Sequence, residues 1–125
     1  MQQKVYLGLR VVAGLMLVVF GSNKFFGFIE MQPGSLEMGA FMMALFQSGY
    51  LMKLVAVVEV VAGFSFLTNK YAALMAVVLM PVMLNAFLSH LFLDPSGIGG
   101  ATVLLILTIV VMIENKSRYK ALLKA

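Results

Sequence analysis

The sequence predicts an all-α membrane protein: an antiparallel bundle of four transmembrane helices with a short interfacial helix between spans 1 and 2. Composition is the first reason. Of the 125 residues, 62% are hydrophobic and 11% charged, with a mean hydropathy of +1.03. Soluble domains are roughly 45–50% apolar, so this chain has too few polar side chains to cover a soluble core. The second reason is spacing, because the apolar residues form four long runs, each near the about 20 residues that cross a bilayer. The third is charge: Lys4, Lys70 and a C-terminal basic cluster alternate along the chain with Glu30, Glu37 and Asp94. Four spans and their links use nearly the whole length, so residues 1–125 are expected to form a single membrane domain.

The first run, about residues 5–28, is interrupted by Arg10, Asn23 and Lys24. Lys4 ahead of it and Val19-Phe20-Gly21 within it weakly imitate a signal peptide, but the segment is expected to be retained as a span. Gln32-Pro33-Gly34-Ser35 then breaks the helix, and Ser35 is a suitable N-cap for a short helix over 36–47 that stops at Gly49. A dozen residues cannot span. Leu36, Met38, Phe41, Met42, Leu45 and Phe46 surround this helix, which suits the interface or the outer leaflet.

The second span is expected at about 51–67 with Glu59 at its centre, and the third at about 71–93. Thr68-Asn69-Lys70 links them so tightly that they must be antiparallel neighbours. Pro81 is expected to kink the third span and open space beside Glu59. Asp94-Pro95-Ser96-Gly97 makes the next break, and residues 98–113 form a fourth span with no ionisable group. Basic residues mark cytoplasmic flanks, so both termini are expected in the cytoplasm of a multi-pass protein.

The composition also excludes chemistry. The chain has no cysteine, which removes disulfides, iron–sulfur clusters and a thiol relay of its own. A single histidine, His90, cannot build a bis-His haem site or a zinc site, so no metal is expected. The net charge of +4 owes much to Lys116, Arg118, Lys120 and Lys124, just past a hydrophobic run. That is a membrane flank rather than a nucleic-acid surface.

A charge at mid-bilayer costs about 2.5–3.5 kcal/mol on insertion scales, so intramembrane ionisable groups face the bundle interior and are paired. On the first span, Arg10, Gly14, Leu17, Gly21 and Lys24 recur every three or four residues and form one stripe, whose glycines suit close helix packing. At about 1.5 Å per residue, Glu59 and Asn85 share a layer about 12 Å below the outer helix ends. Lys24 lies about 7–8 Å from Glu59 along the axis, within reach, and Arg10 about 13 Å away on the other side. Lys24–Glu59 is therefore the expected pair. Glu59 reads either as a structural or neutral group or as a proton-handling one. Arg10 is a structural intramembrane charge, either snorkelling to the cytoplasmic face or turned inward. Asn85 suits an interhelical hydrogen bond or a ligand contact, and His90 a structural or ligand-binding role. Met31, Met38, Met42, Met43 and Met52 fill gaps or form an adaptable wall for a flat ligand.

Arg10, Gly21-Ser22-Asn23-Lys24-Phe25-Phe26, Ser48-Gly49-Tyr50, Glu59-Val60-Val61-Ala62-Gly63, and Pro81, Asn85 and His90 through Asp94-Pro95 together resemble the DoxX family across nearly the whole chain. The resemblance implies a four-helix fold of bacterial and archaeal cytoplasmic membranes, named after small subunits associated with quinone-linked oxidation of sulfur compounds. On that analogy the expected function is a membrane subunit of a redox system. It would bind a quinone or lipid-like ligand through Lys24, Asn85 and His90, with Glu59 exchanging protons. No covalent cofactor is expected, and electrons would come from the ligand or from redox partner proteins. The alternatives are a non-catalytic scaffold or assembly factor and a small transporter that oligomerises.

Overall fold

The computed structural model describes residues 1–125. Helix α1 spans Gln3–Phe26. It stops before the expected residue 28 because Gly27 adopts a left-handed conformation (φ 64°) and its N–H bonds Asn23 O at 2.8 Å. Asn23 then pins the outgoing loop: its Oδ1 accepts the Ile29 N–H at 2.7 Å and its Nδ2 donates to Ile29 O at 3.0 Å. Helix α2, Leu36–Gln47, starts where Ser35 accepts the Met38 N–H at 3.0 Å, the capping contact its position suggested.

Helix α3 spans Leu51–Thr68, and the Ser48 hydroxyl accepts its first N–H, that of Leu51, at 3.0 Å. Two left-handed residues, Asn69 (φ 56°) and Tyr71 (φ 59°), turn the chain, so α4 begins at Ala72 and runs to Leu93. Pro81, expected to kink α4, does not interrupt it and sits on its exposed side. A 3-10 turn at Pro95–Gly97 leads into α5, Ile98–Glu114. A second 3-10 turn, Lys116–Tyr119, folds back so that the Tyr119 hydroxyl donates to Ala73 O at 2.7 Å.

Helix α1 packs on α3, α3 on α4, α4 on α5, and α5 closes the ring against α1; α2 rests on α3 and α4 at one end. The four long helices, with the Pro95–Gly97 turn counted into the last, are long and apolar enough to cross a membrane. The core combines small residues, Ala13, Ala62, Ala72 and Ala76, with larger ones that include Phe66, Leu17, Leu79 and Met83. The outer faces carry exposed Leu54, Val61, Leu74, Leu84, Leu91 and Ile106, which suits hydrocarbon rather than water. The bundle has a basic end, with Lys4, Lys70 and the C-terminal cluster, and an acidic end, with Glu30, Glu37 and Asp94.

Candidate intramembrane site

Glycines set the distance between α1 and α3. A Cβ placed on Gly14 would lie 2.9 Å from Gly63 O, and one on Gly63 would lie 2.7 Å from Val18 Cγ2 and 2.9 Å from Val18 N. The contacts include backbone, which cannot yield as a flexible side chain would. Helices this close bring Lys24, one turn beyond Gly21, over the middle of α3, and Lys24 Nζ donates to Glu59 Oε2 at 2.7 Å. The two partners differ in access: the Glu59 side chain is 7% exposed and that of Lys24 25%. A buried carboxylate is thus neutralised by a cation that still reaches the bundle surface. Lys24 Nζ also lies 3.4 Å from Phe20 O, at the outer limit of a hydrogen bond.

The other predicted residues are placed differently. Asn85 is exposed on α4 and its side chain makes no hydrogen bond within the chain, so it does not join Glu59 in the interior. The reason is rotation, since equal depth on two helices does not make two side chains face each other. His90 belongs to a second polar group, with its Nδ1 3.3 Å from Asp94 O. Arg10 is 7% exposed, and its guanidinium lies over the Tyr6 ring at 5.5 Å. It is turned into the bundle and does not snorkel along a lipid-facing surface. The methionines do not form one wall: Met38 and Met52 are buried, whereas Met31 and Met43 are exposed.

Asp94, which in the sequence marks a break, the orientation and part of the family resemblance, has a further role in the fold. In the fold its Oδ2 accepts the Gly34 N–H at 3.0 Å and its Oδ1 the Ser96 hydroxyl, while the Ser35 hydroxyl donates to Leu93 O at 2.6 Å. These bonds strap the start of α2 to the end of α4. The Ser96 hydroxyl, then the Gly34 N–H and the nearby His90, hold the Asp94 carboxyl below the ordinary value of 3.8, against desolvation acting the other way. The sequence signal was Asp94-Pro95-Ser96, an acid placed to bond its own turn, but its partner Gly34 is 60 residues away. A shallow groove on α2, lined by Pro33, Leu36, Gly39 and Met43, does not include Lys24 or Glu59.

Fold and site together define a small polytopic membrane protein built around one internal lysine–glutamate pair. The DoxX family model matches residues 5–92 of the 125, and the chain belongs to the DoxX family. The matched region includes Arg10, Lys24, Glu59, Asn85 and His90 and leaves out α5. No curated protein and no solved structure matches the chain.

Proposed function

We propose that the protein is a membrane subunit of a quinone-linked redox system, in which the Lys24–Glu59 pair binds the polar head of a quinone or similar lipid-soluble ligand. The observation that carries this reading is the unequal access of the pair, with Glu59 buried and Lys24 open to the bundle surface. An ammonium has three donors. One serves Glu59 and one faces Phe20 O at long range, leaving a donor for a ligand carbonyl. Lys24 orients that carbonyl, and Glu59 passes on the proton that accompanies each electron. The electrons come from the ligand itself or from a redox partner protein. His90, beside the Asp94 carbonyl, is a second polar group at the same end. The basic end lies in the cytoplasm of a bacterium or archaeon, and the bare face of α5 is available to a second copy.

Mass spectrometry of small molecules retained in native nanodiscs, followed by quinone titration, tests this reading. Saturable binding that Lys24→Met weakens is the expected result. No retained quinone and no saturable binding overturns it. A second reading, a non-catalytic scaffold or assembly factor, is favoured by the glycine seam, in which the same pair would lock the register of α1 against α3. The variant carrying both Lys24→Met and Glu59→Gln separates the two, since a scaffold keeps its cellular function and a redox subunit loses it.

A further inference from the structure

Arg10 has no counter-ion in the chain. It enters neither of the ion pairs, which are Lys24–Glu59 and the N-terminal amine with Glu114, and its buried Nε has no hydrogen-bond partner. Seven cationic side chains (Lys4, Arg10, Lys70, Lys116, Arg118, Lys120 and Lys124) and the N-terminal amine occupy this end against the single acid Glu114. A buried Nε without a partner carries a desolvation cost, and the terminal nitrogens make no bond within the chain, so the group is open to an anion that the chain does not supply.

The surroundings indicate which anion. Arg10 lies seven residues into α1, about 10 Å from its basic end, and helical side chains lean toward the N-terminus. The Tyr6 ring under the guanidinium is one turn closer to that end and holds the fork by cation–π contact. Asn115 Nδ2 donates to the Tyr6 hydroxyl oxygen at 3.2 Å, while the Tyr6 hydroxyl proton has no acceptor in the chain. Guanidinium and phenol thus present unused donors close together, about two turns and one turn from the basic end of α1. A planar fork suits phosphate, which it can bind through two parallel bonds.

We propose that Arg10 and Tyr6 form a phosphate-binding site between the helices at the basic end, and that its ligand is a phosphate group, carried by an anionic lipid headgroup or free in solution. Basic pockets between transmembrane helices at this face are suited to acidic headgroups. The site is separate from the Lys24–Glu59 pair and does not depend on the redox reading.

The test uses the full chain and native mass spectrometry, with phosphatidylglycerol and inorganic phosphate as the probes and phosphatidylcholine as background. One phosphatidylglycerol per chain should survive washing in detergent. Arg10→Gln should reduce that retention about tenfold or more, as expected for loss of a charge-assisted bond, whereas the paired change Lys116→Gln and Lys120→Gln should not. Tyr6→Phe, which keeps the ring but loses the bond from Asn115, should reduce it severalfold with at most a small fall in melting temperature, whereas Asn115→Ala, which loses that bond and keeps the phenol, should leave retention unchanged. The Tyr6→Phe variant decides the matter if Arg10→Gln does not fold. Retention that excess inorganic phosphate cannot displace assigns the site to lipid, while binding of inorganic phosphate in phosphatidylcholine alone assigns it to the free ion. Equal retention of both probes by wild type, Arg10→Gln and Tyr6→Phe overturns the proposal.

Discussion

The two halves of the bundle hold together by different means. Helices α1 and α3 approach across glycines until backbone meets backbone, and they enclose Arg10, Lys24 and Glu59. Helices α4 and α5 contribute larger apolar side chains to the core, Leu79, Met83, Leu104, Leu107 and Val111, and bury no charged side chain. Among lipid tails, apolar surface gains little by leaving the solvent, so association rests on packing and on polar contacts. Close approach and charge go together for that reason. Gly21 lets α1 pass close to Glu59, with an added Cβ 3.0 Å from Glu59 Cβ, and Lys24, one turn on, closes the 2.7 Å contact.

The largest expected effect comes from spoiling that approach. Gly63→Val puts carbon where Val18 N and Gly14 O already lie 2.9 Å from an added Cβ, and should destabilise the fold by about 3 kcal/mol or more, read as a lower melting temperature in detergent. Gly100→Ala on α5, where an added Cβ meets nothing within 4 Å, is the matched control and should leave the melting temperature unchanged or slightly higher. Equal losses in both variants would erase the distinction between the halves.

Next in size is the ion pair. Lys24→Met leaves Glu59 without its partner and should cost about 2–3 kcal/mol, a figure limited by the ability of the carboxylate to take up a proton. Adding Glu59→Gln should recover much of the loss. A double-mutant cycle with no coupling would show that the 2.7 Å contact contributes nothing net.

The smallest effect is confined to the strap between α2 and α4. Asp94 has its carboxyl held below the ordinary range, so its contribution is complete above the unfolded value and disappears as pH falls through the lowered folded value. Protection of the Gly34 amide, its exchange rate relative to the intrinsic rate at the same pH, should therefore stay high at neutral and mildly acidic pH and fall only below the ordinary carboxylate range. Asp94→Asn should remove that protection at neutral and mildly acidic pH and match the wild type once the wild type's own carboxyl is protonated. An exchange rate that is fast at neutral pH in the wild type would remove the strap.

Much of this arrangement was readable from particular residues. The breaks at Gln32–Ser35, Thr68–Lys70 and Asp94–Gly97 separate the helices in the fold, Ser35 caps α2, and depth along the helices put Lys24 within reach of Glu59. The stripe of Arg10, Gly14, Leu17 and Gly21 is buried because glycine and charge on α1 contrast with the aliphatic residues on its other sides. Helix α4 offers no such contrast. It is apolar all round, so nothing in the sequence told which way Asn85 turns, and the depth shared with Glu59 did not make them neighbours.

The sequence by itself determined the class of protein, the number and order of its helices, and the axial positions of its internal charges. Those are properties of composition, of helical rise and of local breaks, and each acts within one segment. Only the tertiary structure decided which charges found partners. It paired Lys24 with Glu59, left Arg10 over Tyr6 without an anion, turned Asn85 outward and joined Asp94 to Gly34. The physical reason is that helix rotation and side-chain contact are settled between elements, by how closely glycine lets two backbones approach and by what lies opposite when they do.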